Sequence, residues 1–226
     1  MREMDDANRL STEDGAILPG YLVPSRAEGL IVVHEAFGLT EQIRNVARRF
    51  AAEGFTVFAP DLLGGRTTSD MAIGFKNVQL VNWKMGIEQI RQAVAALSAR
   101  GAGAKVGILG FGFGGAMAIS AAAQIPEIAA CVTFYGIPTP ERANFSQITC
   151  KVQGHFGRFD KQISNDRVDQ LESRMTAAGV SIEIHRYHAE HAFFNETRRE
   201  THSASTTELT FRRSTAFLKL QITGSY

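Results

Sequence analysis

Short runs of apolar residues alternate along the chain with longer stretches whose apolar residues recur every three or four positions. The short runs predict buried strands, and the helical spacing predicts amphipathic helices. The predicted strands run up to Leu22 and over Leu30–Val33, Phe55–Ala59, Val106–Leu109, Ala129–Tyr135, Thr149–His155 and Ser181–Tyr187. The predicted helices cover Glu41–Glu53, Val78–Leu97, the small residues leading to Ala123, Ser164–Ala178 and Thr206–Leu220.

Strands that alternate with helices of about a dozen residues predict an α/β fold with a mostly parallel central sheet and helices on both faces. The 226 residues suffice for one sizeable core, so we expect a single domain over residues 1–226. Leu62–Phe75 has several Gly, Thr and Ser residues and little periodicity, which predicts a surface loop. Ligands of such sheets bind beyond the carboxyl ends of the strands.

Charge and composition narrow the choice of partners. The formal net charge of +1 gives no electrostatic reason to expect nucleic acid or an anionic membrane. Met1–Asn8 lacks the apolar core of a secretory signal, and no apolar run approaches the roughly 20 residues of a membrane span. Cys131 and Cys150 form neither a C-x-x-C motif nor a Cys/His ligand set. We therefore expect a cytoplasmic protein without a metal, a disulfide, a nucleic-acid partner or a membrane partner.

The segment Lys105–Ala123 combines a short apolar strand, four glycines within six residues and a run of small residues. One device with this layout is the nucleophile elbow G-x-S-x-G, in which a strained turn lifts a nucleophile above the sheet. The other is the dinucleotide fingerprint G-x-G-x-x-G, which holds a pyrophosphate at a helix N-terminus. Gly110, Gly112 and Gly115 satisfy the fingerprint, whereas in the elbow frame Gly112 occupies the place of the nucleophile.

Residues elsewhere in the chain favour the elbow. A dinucleotide fold usually begins with its fingerprint and carries an acid about 20 residues later, but here the next predicted strand ends without an acid and Glu127 precedes it. A hydrolase needs an acid after a later strand and a histidine after the next one. Asp160 and His191 stand at those places. A dinucleotide-dependent oxidoreductase is retained as the weaker alternative.

Five segments together resemble the dienelactone hydrolase family, a branch of the α/β-hydrolase fold. They are H-E-A-F-G-L at His34–Leu39, A-P-D-L at Ala59–Leu62, Lys105–Gly115, Phe159-Asp160 and H-A-F at His191–Phe193. The resemblance spans nearly the whole chain. It implies a hydrolase of small esters or lactones that needs no cofactor. We expect a monomer or a homodimer.

The resemblance also implies a role for individual positions. It gives the acid as Asp160, the base as His191, the nucleophile position as Gly112, an activating carboxylate as Glu35, oxyanion-hole N–H donors as Ala36 and Phe113, and pocket residues as Phe37 and Phe111. Two positions depart from the family pattern. Gly112 has no side chain with which to form an acyl-enzyme, and Asn195 stands where the family has an arginine for a substrate carboxylate.

We therefore expect a hydrolase whose activity is very low or lost, and the alternative is a non-catalytic member that binds a small molecule. Cys131 and Cys150 each begin a predicted strand, at the end remote from the site. Neither is expected to replace the missing nucleophile.

Overall fold

The computed structural model describes residues 9–25, 28–101 and 105–224, so the prediction for Met1–Asn8 lies outside the described residues. The strands are β1 Leu10–Ser11, β2 Ile17–Leu18, β3 Gly20–Val23, β4 Gly29–Val33, β5 Thr56–Pro60, β6 Val106–Phe111, β7 Ile128–Phe134, β8 Lys151–Gly157 and β9 Ile182–Tyr187. The helices are α1 Glu41–Ala52, α2 Met71–Gln79, α3 Trp83–Arg100, α4 Phe113–Ala122, α5 Asn165–Ala177 and α6 Ala204–Thr223.

Seven of the described strands form one sheet in the order β3-β5-β4-β6-β7-β8-β9. The edge strand β3 pairs antiparallel with β5, and every other pair in this sheet is parallel. Strand β6 lies in the middle, between β4 and β7. The mostly parallel sheet confirms the predicted fold class, and the carboxyl ends of β4, β6, β7, β8 and β9 meet along one edge.

Side chains from the central strands enter a separate apolar core on each face of the sheet. In β4, Ile31 and Val33 belong to the core covered by α3, α4 and α5, whereas Leu30 and Val32 belong to the core covered by α1 and α6. Successive side chains of a strand point to opposite faces, so a strand covered on both faces must be apolar throughout. This explains why β4 appears in the sequence as an uninterrupted apolar run.

The prediction of a surface loop over Leu62–Phe75 is wrong for its last five residues, because α2 begins at Met71. The Asp70 side chain caps this helix by accepting a hydrogen bond from the Ile73 N–H at 2.9 Å. Gly74 is the one buried residue of α2. Met71, Phe75 and Val78 recur at helical spacing, so the sequence does carry a helical pattern here, which the loop prediction overlooked among the Gly, Thr and Ser residues before Met71.

The predicted single helix Val78–Leu97 is also wrong, since Val78 and Gln79 end α2 and a new helix begins at Trp83. The Asn82 side chain caps α3 by accepting a hydrogen bond from the Met85 N–H at 3.1 Å. The segment predicted as one strand ending at Leu22 consists of β2 and β3. In the part of the chain that the structure describes, none of the helices has both the length and the apolarity to cross a membrane.

Replacing Asn82 with Ala should lower the free energy of unfolding by about 1 kcal/mol, because α3 loses the side chain that caps its N-terminus. Asn82→Asp keeps an acceptor oxygen and should cost much less. Urea unfolding of the three proteins measures the difference. Equal losses for Ala and Asp would show that the cap does not stabilise α3.

Candidate active site

The turn between β6 and α4 places Gly112 in a backbone conformation that other residues rarely adopt. Its φ is +52° and its ψ is −112°, and its N–H donates to the Phe134 carbonyl oxygen at 2.9 Å. Glycine reaches positive φ without the steric penalty of a Cβ atom. A nucleophile elbow has a strained turn of this kind, directly between a strand and a helix.

The glycines on either side of Gly112 are required for a different reason. A Cβ atom on Gly110 would overlap the carbonyl oxygen of Gly114, and a Cβ atom on Gly114 would overlap the carbonyl oxygen of Val33. At Gly112 a Cβ atom would lie 3.9 Å from Tyr135 Cδ2 and 4.0 Å from His191 Nε2, which are ordinary contact distances. The turn therefore excludes a side chain at its outer positions and has room for one at its centre.

Asp160 and His191 are brought together by the loops that follow β8 and β9. The His191 Nδ1–H donates to Asp160 Oδ2 at 2.7 Å. The other carboxylate oxygen of Asp160 accepts from the N–H groups of Gln162 and Ile163, at 2.7 and 2.8 Å. The Asp160 side chain is fully buried, and these donors fix it. Because Nδ1 carries the proton, Nε2 is the basic nitrogen and faces position 112.

Glu35 lies in the loop that follows β4. Its carboxyl group is buried, and each of its oxygens accepts a hydrogen bond. The Tyr135 hydroxyl donates to Oε1 at 3.0 Å, and the Asn195 amide donates to Oε2. Burial raises the pKa of Glu35 above its usual value because the charged form loses its hydration, while both hydrogen bonds act in the opposite direction. Asn195 stands where the family pattern has an arginine, and here its side chain holds the Glu35 carboxyl group.

His34 fixes the start of the loop that carries Glu35 and Ala36. It is buried, its Nδ1–H donates to the Glu35 carbonyl oxygen at 2.7 Å, and its Nε2 accepts from the Leu62 N–H at 3.2 Å. This hydrogen-bond pattern assigns the neutral tautomer. Burial lowers the pKa of His34, which keeps the ring neutral and in this position.

A cavity of about 290 Å³ opens at the carboxyl edge of the sheet. Of the residues predicted to form the site, it is lined by Glu35, Ala36, Phe37, Gly112, Phe113 and His191. Asp160 lies behind His191. A larger cavity of about 630 Å³, between β2 and α3, contains none of these residues, so the smaller cavity is the candidate site.

The prediction that Phe111 lines the pocket is wrong. Phe111 is fully buried, and its ring centroid lies 4.7 Å from that of Phe134 and 5.0 Å from that of Phe194. It shares a face of β6 with Leu109, in the core covered by α1 and α6. The alternation of side chains along β6 points it away from the cavity.

Several wall residues were not identified from the sequence. Tyr135 follows β7 at the same edge of the sheet as Gly112, so the strand-end rule could have found it. Arg142 and Arg167 reach the cavity from beyond β7 and from α5, and Arg142 lies 3.9 Å above the ring of Trp83. Helix α2 supplies the apolar residues Met71, Phe75 and Val78. That the side chains of α2, Arg142 and Arg167 meet at one cavity depends on tertiary packing.

Neither cysteine lines the cavity. Burial raises the pKa of Cys131 well above its usual value and that of Cys150 to about 11, so both thiols hold their protons at neutral pH. Within the described ranges, no group of three or more His, Cys, Asp or Glu side chains is arranged to hold a metal ion.

Comparison with known proteins agrees with this geometry. The model of the dienelactone hydrolase family matches residues 18–222, so the chain belongs to that family. Protein usf of Aquifex pyrophilus is 27% identical over 93% of this chain and 96% of its own length. Family membership supports a hydrolase and favours the elbow over the dinucleotide fingerprint.

Solved structures share the α/β-hydrolase fold. A dienelactone hydrolase-like promiscuous phosphotriesterase from metagenomic libraries has a TM-score of 0.80 at 22% identity, over 94% of this chain and 97% of that chain. An esterase of Pyrococcus furiosus has a TM-score of 0.64 at 18% identity, over 95% of this chain and 91% of that chain. At these identities the likeness concerns the fold alone.

The environment of Glu35 predicts how stability changes with pH. A carboxyl group whose pKa is raised on folding binds more protons in the folded than in the unfolded chain. Its contribution to stability therefore falls as the pH rises from about 4.5, the usual glutamate value, through the folded value. Glu35→Gln removes this titration, so the free energy of unfolding of the unmodified protein relative to Glu35→Gln should decrease with pH.

Chemical unfolding at several pH values measures this difference. Glu13→Gln, at an exposed position, is the matched control and should show no comparable slope. If the difference for Glu35 instead rises with pH, the hydrogen bonds from Tyr135 and Asn195 outweigh burial and the carboxylate is stabilised as an anion.

Proposed function

We propose that this protein binds small esters or lactones in the cavity beside Gly112 and hydrolyses them slowly by direct attack of water. The observation that carries the proposal is the His191–Asp160 pair, with a hydrogen bond of 2.7 Å and with Nε2 4.0 Å from the Cβ position of residue 112. His191 is the general base that removes a proton from water, and Asp160 orients the ring and stabilises its charged form.

The backbone supplies the second part of this mechanism. Ala36 and Phe113 line the cavity, and their N–H groups are the proposed donors to the oxyanion. One such donor contributes about 3–4 kcal/mol to stabilisation of the transition state. Because the donors belong to the backbone, a glycine at position 112 does not remove them. Serine hydrolases that lack their nucleophile retain roughly 10³–10⁴-fold acceleration from the oxyanion hole and binding.

The charged residues of the cavity suggest which esters bind best. Arg142 and Arg167 line it, and Glu35 is the one acidic side chain among the described lining residues. Two arginines against one carboxyl group give the described walls a net positive charge whether or not Glu35 is ionised. We propose that substrates with an acidic group away from the ester bind more tightly than their neutral analogues.

A second candidate function is binding without turnover. Gly112 favours it, because covalent catalysis needs a nucleophilic side chain at this position. The two candidates differ in one measurable property, which is release of product at a rate that depends on His191.

The first test of hydrolysis compares the protein with His191→Ala on a panel of activated esters and lactones. We expect slow turnover that decreases on loss of the base. No burst of product should precede it, because no acyl-enzyme accumulates. Ligand binding measured on both proteins separates turnover from affinity. Equal rates for the two proteins, together with binding, would leave the non-catalytic candidate.

The second test restores a nucleophile. Gly112→Cys should greatly raise esterase activity and introduce a burst, because the base and the acid already stand opposite a Cβ position with ordinary contacts. Gly112→Ala is the matched control, since it adds the same backbone strain without a nucleophile. A folded Gly112→Cys protein that hydrolyses no ester above the Ala control would contradict the assignment of the elbow.

A further inference from the structure

Helix α2 forms one wall of the cavity that contains Gly112, and a glycine is its one buried residue. Met71, Phe75 and Val78 line the cavity from this helix. Phe75 remains 45% exposed, so its ring is available to a ligand. The buried residue is Gly74. The distance between α2 and the protein beneath it is therefore set at Gly74.

Gly74 lies against the loop that carries Ala36. A Cβ atom on Gly74 would lie 3.1 Å from the Ala36 carbonyl oxygen and 3.5 Å from Ala36 Cβ. The first distance is shorter than ordinary van der Waals contact, so a side chain at position 74 would force the helix and the loop apart. The backbone at Gly74 is helical, and alanine is the better helix former. Close approach to Ala36, and not backbone conformation, therefore explains the glycine.

The loop is held more firmly than the helix. The His34 ring donates to the Glu35 carbonyl oxygen at 2.7 Å, and the Gly38 N–H donates to the same oxygen at 3.2 Å. By contrast, Asn77 and Leu80 at the end of α2 line the larger cavity of about 630 Å³, so the helix has open space beside it. A side chain at position 74 should therefore displace α2 and leave the loop in place.

We propose that Gly74 determines the width of the ester-binding cavity, and with it the size of the substrates that the protein accepts. This inference rests on the proposed function, because it concerns the same cavity. The missing side chain lets α2 approach Ala36, which keeps Phe75 and Val78 close to the residues around Gly112. The cavity measures about 290 Å³, whereas about 150 Å³ suffices for benzene. The present width thus suits one aromatic ring with a small ester group.

The test is the relative affinity for two acids that differ by one fused ring. Benzoate and 2-naphthoate carry the same carboxylate, so the ratio of their dissociation constants cancels the attraction of the charged walls. Isothermal titration calorimetry gives both constants for the unmodified protein, Gly74→Ala and Gly74→Leu. The ratio of the 2-naphthoate constant to the benzoate constant should fall about two-fold with Ala and about ten-fold with Leu, because the wider cavity accepts the second ring.

Two further variants of α2 serve as controls. Ala72→Leu adds the larger of the two side chains at an exposed position of the same helix and should leave the ratio unchanged. Phe75→Ala removes part of the wall directly and should lower the ratio without displacing the helix. Circular dichroism checks that each variant is folded.

The outcomes separate the role of Gly74 from the proposed function. An unchanged ratio in both Gly74 variants, or an equal change in Ala72→Leu, would overturn the role of Gly74 while binding of the acids still supports the cavity. Loss of His191-dependent phenyl acetate hydrolysis in Gly74→Leu, at an unchanged ratio, would show that the loop yields and would also overturn it. A lowered ratio without any hydrolysis would support the role of Gly74 and contradict only the catalytic proposal. Binding of neither acid would overturn both.

Discussion

The close approach of helix α4 to the ends of β4 and β6 is the constraint on which the site depends. Gly114 packs its Cα against the carbonyl oxygens of Val33 and His34, and Gly110 packs against the backbone of Gly114. Any side chain at either position would push the helix away from the sheet. Because α4 is held this closely, the chain must turn within one residue, and Gly112 takes the positive φ that such a turn requires.

The same edge of the sheet contains two more residues in the left-handed region, and neither is a glycine. Tyr135 has a φ of +39° and follows β7, and Ala192 has a φ of +58° and follows His191. For a residue other than glycine this conformation costs about 1–3 kcal/mol, and it persists only where the surrounding structure imposes it. At Tyr135 the phenol is held by Glu35, and at Ala192 the neighbouring imidazole is held by Asp160. The strain in this fold is thus concentrated around the cavity.

Alternating strand and helix patterns allowed the sheet to be predicted from the sequence. The positions of Asp160 and His191 along the chain allowed the residues beside Gly112 to be predicted. Asp160 and His191 follow successive parallel strands, so the topology alone brings them to one edge. The sequence predicted less where a contact depends on tertiary packing. The apolar residues of α2 recur at helical spacing but line the cavity instead of a core, and the strand bounds alone did not show that Phe111 belongs to the opposite core. The Tyr135–Glu35–Asn195 hydrogen bonds join residues that are 100 and 160 positions apart, which no local motif encodes.

On the proposed mechanism, glycine at position 112 means that the nucleophile is not covalently attached to the chain. The base His191 and the backbone oxyanion donors are still present. In a serine or cysteine hydrolase the nucleophile is part of the chain, and an oriented group of this kind has an effective concentration of roughly 10⁵–10⁸ M. A free water molecule must instead be captured and oriented at each turnover. His191 and the backbone donors can still stabilise the transition state, but the entropy of the attacking molecule is lost in every cycle. On this mechanism the rate is set by how well His191 Nε2 and the backbone donors position that water molecule against the acyl carbon of the ester.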